Sequence, residues 1–189
     1  MKKIIITGGN GQLGRAMNAL YRDNKEITII NTDVDELDIT NLEQVKDFVA
    51  EEKPYAIVNC AAYTAVDACE DEVDLAYRIN AIGPRNLAIA ANLNGAKLMH
   101  ISTDYVFAGD ATEPYLEFDT PAPAGIYGKS KLAGEEFVRT FCKEHFIIRT
   151  AWLYGDGKNF VKTMLRLAET RDEVSVVMDQ VGSPTSTKE

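Results

Sequence analysis

Residues able to ligate a metal or form cross-links are scarce in this chain. Its 189 residues include two histidines and three cysteines. Cys60, Cys69 and Cys142 are odd in number, form no Cys-x-x-Cys pair and lack partners at metal-site spacing. They read as reduced thiols, not as a disulfide framework or a zinc site. His100 and His145 each flank an apolar run, whereas a metal centre needs several convergent ligands. Positive charge is also short, with 20 Lys and Arg against 29 Asp and Glu and a net charge of −9. That removes the usual electrostatic basis of nucleic-acid binding, which is phosphate neutralisation. It does not exclude an anionic small molecule held by backbone N–H groups. No hydrophobic run reaches membrane-spanning length, and the three isoleucines between Lys3 and Thr7 are too few for a signal-peptide core. The expectation is a cytoplasmic protein with neither nucleic acid nor membrane as partner.

The residues that are present suit a globular chain. At 46% hydrophobic and 26% charged, the sequence can bury a core around a multi-stranded sheet. Strand and helix patterns alternate along it. Apolar, β-branched runs predict strands at 3–7, 27–31, 56–59, 97–102, 146–150 and 174–178. Helical spacing is found at 11–22, 41–51, 75–94, 126–142 and 160–170. A long loop rich in Pro, Gly and Asp covers 103–125. Strands separated by helices imply right-handed crossovers and an α/β fold, a Rossmann-like doubly wound parallel sheet that binds ligands at the carboxyl ends of its strands.

The first such end carries Gly8, Asn10, Gly11, Gln12, Leu13 and Gly14. Glycines at 8, 11 and 14, between a strand and a helix, permit a tight turn, close approach of a pyrophosphate and helix–sheet packing. Asp33, at the end of the second strand, can accept hydrogen bonds from an adenosine ribose and favours NAD; Arg15 can instead meet a 2′-phosphate, so NADH and NADPH both stay open. Tyr127 and Lys131 are an i, i+4 pair on one helix face. A phenol with a pKa of about 10 beside an ammonium is expected to become more acidic and to exchange a proton with a carbonyl or alcohol. Ser102 and Thr103 end the fourth strand, where a hydroxyl faces the same pocket, and Thr103 can assist Tyr127. Pro84, inside the predicted helix 75–94, denies the Asn80 carbonyl its donor. The freed carbonyl is expected to hold a water near Lys131, or else to mark a packing kink.

Together these residues resemble the extended short-chain dehydrogenase/reductases. So do the segments at 37–40, 59–67, 102–107, 149–155 and 179–185. The last two resemble the branch that reduces nucleotide-linked 4-keto-6-deoxyhexoses with NADPH or NADH. The resemblance implies that Gly11, Gln12 and Leu13 meet the pyrophosphate and that Asp38 and Ile39 line the adenine pocket. It places Ala61, Ala62 and Tyr63 at the ribose and nicotinamide, Thr103 and Asp104 near the sugar, and Trp152 packed against it. It assigns Tyr127, Lys131 and Thr103 to catalysis. Plainer roles stay open, with Ile39 and Trp152 as core residues and Asp38 as a helix cap. Epimerases and dehydratases share the fold, but the dehydratases carry Glu where Tyr105 follows Asp104. A non-catalytic dinucleotide-binding regulatory subunit is the other alternative. Some relatives place magnesium at a subunit contact, and a homodimer is expected on the same grounds. Family members are longer, with a C-terminal region that closes over the sugar. The expected division is a dinucleotide-binding domain over 1–170 and, over 171–189, the start of a substrate lobe that is largely missing.

Overall fold

A computed structural model describes residues 1–188; Glu189 lies outside the described residues. Five parallel strands form the central sheet: β1 (Lys2–Thr7), β2 (Ile27–Asn31), β3 (Ala56–Asn59), β4 (Lys97–Thr103) and β5 (His145–Thr150). Their order is β2-β1-β3-β4-β5. After β2 the chain crosses to the other side of β1, so a topological switch point opens between β1 and β3, the place where such sheets accept ligands.

Alternation along each strand decides what is covered. Ile5, Ile57 and Leu98 point to one face and are fully buried. They pack under α2 (Leu42–Glu52), α5 (Gly83–Leu93) and α6 (Ile126–Phe141) through Val45, Val49, Leu87 and Val138. The start of α2 is capped by Asn41, whose side chain accepts from the Gln44 N–H. The opposite face is covered unevenly. There α1 (Gln12–Tyr21) lies toward β2, while the paired residues Met99 with Phe146 and Ile101 with Ile148 face outward. Phe146 is 57% exposed.

Two expected elements differ. After α3 (Val66–Asp71), the helix predicted over 75–94 is broken into α4 (Val73–Tyr77), a π turn (Arg78–Ile82) and α5. Pro84 has no N–H to donate, and the preceding Gly83 N–H reaches five residues back to the Arg78 carbonyl. The result is a bulge of the kind π geometry produces. The strand expected over 174–178 does not form, because these residues are exposed and pair with nothing. Instead two short strands, β6 (Leu153–Tyr154) and β7 (Thr185–Ser186), pair in parallel as a separate small sheet. That sheet draws on both sides of the expected boundary at 170. Between them α7 (Phe160–Ala168) is amphipathic but buries no residue. Among the described residues no helix is long and apolar enough to cross a membrane.

Candidate active site

The crevice begins with the turn after β1. Gly8 takes φ +64°, and a Cβ there would lie 2.7 Å from both the nitrogen and the Cα of Ala61. The turn therefore presses directly on the chain leaving β3, as only glycine allows. The Gly11 N–H closes the turn on the Gly8 carbonyl, and the first bond of α1 runs from the Arg15 N–H to the Gly11 carbonyl. The N–H groups of Gln12, Leu13 and Gly14 precede that bond. No side chain caps this end, and no acidic residue occupies its first turn. Free donors at the positive end of a helix dipole suit a phosphate. Asp33 braces the arrangement from β2, its carboxylate accepting from the Asn10 and Val34 N–H groups at 2.9 Å each.

Two cavities meet at this turn. One, of about 640 Å³, is lined by Asn10, Asp33, Asp38, Ile39, Ala61 and Ala62. The other, of about 520 Å³, is lined by Gln12, Leu13 and Gly14 on one side and by Ser102, Thr103, Tyr127 and Lys131 on the other. Asp104 and Trp152 border the second cavity as well. Gly8, Gly11, Cys60 and Ala62 line both. The two are thus one elongated crevice with an anion-binding centre, and a dinucleotide fits that plan. Asp38 does not cap α2. Its carboxylate instead accepts from the N–H and hydroxyl of Thr40, at 2.9 and 2.8 Å. Ile39 belongs to the core and to the cavity wall at once.

Helix α6 brings the reacting groups to the rim. Tyr127 sits in its first turn, with its ring edge-on to Tyr105 at 5.4 Å between centroids. Burial pushes the phenol up to about 12, and the Thr103 hydroxyl beside it pulls the other way. This corrects the expectation that Lys131 makes Tyr127 more acidic. The Lys131 ammonium is spent elsewhere, donating to the Ile101 carbonyl at 2.7 Å. Lys131 is itself buried, and burial brings it down to about 8 against the opposing pull of Glu135. A phenol of that pKa stays protonated at neutral pH, which is the state a proton donor requires. The Thr103 hydroxyl donates to Asp104 at 3.0 Å and accepts from the Tyr105 N–H at 3.2 Å.

Comparison with known proteins bears on this geometry. The family described as RmlD substrate binding domain matches residues 1–189. The chain belongs to this family. A dTDP-4-dehydrorhamnose reductase of Aggregatibacter actinomycetemcomitans is 46% identical over 186 residues, covering 98% of this chain and 63% of the relative. The crystal structure of a dTDP-4-dehydrorhamnose reductase from Clostridium acetobutylicum superposes with a TM-score of 0.96 at 57% identity, covering 98% of this chain and 66% of that one. One from Bacillus anthracis, in complex with NADP, gives 0.94 at 56% identity, covering 99% and 67%. The chain thus spans about two thirds of the length of these RmlD-family relatives.

Not every expected residue of this family member reaches the crevice. The Tyr63 hydroxyl turns to the Glu72 carboxylate. The Asn80 amide bonds the Tyr63 backbone on both sides, at 2.8 and 3.0 Å, and the Ser130 hydroxyl at 3.1 Å. It therefore shapes the cavity wall from behind. The Asn80 carbonyl freed by Pro84 faces Gly134 of α6, where a Cβ would come within 2.2 Å. The kink reading is thus met by close helix packing at that oxygen. The Ser102 hydroxyl is also committed, donating to Glu135 at 2.6 Å.

Sequence reasoning missed the group that organises this wall. Glu135 is fully buried and accepts from Ser102, from Arg149 at 3.0 and 2.7 Å, and from Arg139 at 2.9 Å. Burial raises its carboxyl, but the hydrogen bonds from Arg149, Ser102 and Arg139 outweigh burial and hold it below the usual carboxylate range. A signal was present, since Glu135 continues the i, i+4 series of Tyr127 and Lys131 on one helix face. Glu70 was missed as well. It accepts from the Ile126 N–H at 2.7 Å and so caps α6, just before Tyr127, from a distant helix. Among the described residues no group of three or more His, Cys, Asp or Glu is placed to hold a metal ion.

Proposed function

We propose that this chain carries the cofactor half of an NADPH- or NADH-dependent dTDP-4-dehydrorhamnose reductase, which reduces the 4-keto group of a nucleotide-linked 6-deoxyhexose. The observation that carries this reading is that Tyr127 and Lys131 open into the same crevice as the uncapped N-terminus of α1. When bound, a reduced nicotinamide supplies hydride to the sugar carbonyl. Gln12, Leu13 and Gly14 hold the pyrophosphate through their N–H groups. Asp33, Asp38 and Ile39 take the adenosine end, and Ala61 and Ala62 border the middle. Tyr127 gives its phenolic proton to the developing alkoxide oxygen. Thr103 orients that phenol, and Lys131, anchored on the Ile101 carbonyl, stands in the same cavity toward the nicotinamide ribose.

The Bacillus anthracis reductase in complex with NADP supports the phosphorylated cofactor, while Asp33 at the ribose end supports NADH. Asp104 and Trp152 face the sugar. Residues 171–189 open the substrate-facing lobe, with 1–170 as the dinucleotide-binding unit. The pairing of β6 with β7 sets residues 185–186 beside the segment that follows Trp152, which supports the substrate-facing role and draws 153–154 into the same lobe. A homodimer and a cytoplasmic location go with the same reading. The test mixes the gene's entire product with dTDP-4-dehydrorhamnose and NADPH, then NADH. Stoichiometric loss of reduced-nicotinamide absorbance is expected; a flat trace with both cofactors sinks the reductase assignment.

A further inference from the structure

We infer that His100 is a positioning residue for the dinucleotide crevice: its neutral imidazole, protonated on Nε2, fixes the Asn59 amide, and that amide holds the exits of β1 and β3 at the spacing the crevice needs. The inference rests on the dinucleotide reading above. His100 and Asn59 are directly paired in the sheet register, and both are buried.

The tautomer follows from hydrogen-bond logic. The Ala61 N–H can only donate, and it meets the Asn59 Oδ1 at 3.1 Å. The Thr7 hydroxyl donates to the same oxygen at 2.8 Å. The amide is thereby oriented, and its Nδ2 faces the His100 Nδ1 at 2.9 Å. Because Nδ2 is a donor, Nδ1 must be a lone pair, so the single proton of the neutral ring is on Nε2. An imidazolium would set N–H against N–H. Burial, together with the nearby Lys131 charge, holds the His100 pKa well below its ordinary value. Nε2 has no protein partner, so the hydrogen-bonding role of the ring in this fold is exercised at Nδ1.

The consequence reaches the phosphate turn in two steps. Thr7 immediately precedes Gly8, and Ala61 is the residue against which Gly8 packs. One amide oxygen therefore ties the glycine turn to the loop bordering the other side of the crevice. Rotation of that amide would set its NH₂ against the Ala61 N–H, which can only donate, and push the exit of β3 away, while the Thr7 hydroxyl would have to turn and accept.

The test uses three proteins in parallel, wild type, His100→Asn and His100→Leu. The side-chain oxygen of Asn reproduces the acceptor at Nδ1, and Leu removes it. NADPH dissociation constants are measured by fluorescence titration, melting temperatures by calorimetry, and the His100 tautomer by ¹⁵N-resolved NMR, assigned by the signals that vanish in His100→Asn. The expected results are an Nε2–H signature, affinity in His100→Asn within about threefold of wild type, and a loss of about tenfold in His100→Leu, the scale of one misplaced buried hydrogen bond. An Nδ1–H tautomer overturns the inference. So does wild-type affinity in a folded His100→Leu, or a folded His100→Asn that binds about tenfold more weakly. Should His100→Leu not fold, the tautomer and the Asn variant still decide. Failure of wild type itself to bind NADPH or NADH overturns the dinucleotide reading, whereas the tautomer tests the His100–Asn59 link separately.

Discussion

Leu87 in α5 and Leu165 in α7 both lie on helices with a clear apolar stripe, yet Leu87 is fully buried and Leu165 is 63% exposed. The same contrast divides the chain. In the part up to Thr150, apolar stripes meet a sheet, and most polar groups inside the packing have partners, as with Glu135 and its two arginines; among the described residues the His100 Nε2 and the Thr150 hydroxyl are the exceptions. Beyond it, Phe160, Val161, Val177 and Met178 face outward. A few polar contacts hold that region to the glycine turn, among them Gln12 to the Leu153 carbonyl, Asn159 to Gln12 and Arg15 to the Asp156 carbonyl. Amphipathic pattern states which face of a helix seeks cover; it does not supply the cover. The cavity wall of Ser102, Thr103, Tyr127 and Lys131 lies wholly in the first region, whereas Trp152, which borders the same cavity, lies in the second.

Substitutions put this contrast to the test. The largest effect is expected at the reacting group. Tyr127→Phe should lower turnover by about 10³-fold, the scale of general acid catalysis, and leave the NADPH dissociation constant within about twofold. Equal turnover in steady-state assays of the gene's entire product would remove Tyr127 as proton donor. Next, Glu135→Ala leaves the largely buried Arg149 guanidinium without its carboxylate, while the more exposed Arg139 keeps Glu136, and should cost about 3 kcal/mol in urea unfolding. A small cost would mean that water reaches the wall and that the first region is less tightly closed than its burial indicates.

A matched pair tests the contrast directly. Leu87→Ala should cost about 2–5 kcal/mol, while Leu165→Ala, the same chemical change, should stay within about 0.5 kcal/mol. Equal losses would show that α7 is packed in solution. A smaller effect concerns pH. Glu135 has a folded-state pKa below its ordinary value, so its stabilisation is complete above the unfolded carboxylate value and is lost as pH falls through the folded one. Stability profiles of Glu135→Gln should therefore be flatter on the acid side than those of wild type, below about pH 4.3. An unchanged acid limb would assign acid sensitivity to other carboxylates.

Much of the fold and of the crevice was legible in advance, for reasons local to the chain. Glycines at 8, 11 and 14 between a strand and a helix specify a backbone shape and a set of free N–H groups. An i, i+4 Tyr–Lys pair specifies a shared helix face. The misses have non-local causes. Residues 174–178 carry a β-branched run, but a strand needs an edge to pair with, and these residues meet none. Of the two readings for the Asn80 carbonyl, the packing kink needs a partner far away in sequence, and Gly134 supplies it. Glu135 carries no local mark of burial, since its partners Ser102 and Arg149 come from β4 and β5.

Periodicity and spacing act within a few residues, and so the alternation of elements, the glycine turn and the shared helix face of Tyr127 and Lys131 were set by the chain itself. The environment of the Tyr127 phenol, the partner of the Lys131 ammonium and the orientation of the Asn59 amide came only with the packed fold. Each of these is set by burial and by hydrogen bonds between residues distant in the chain, and such bonds exist only once the sheet has formed.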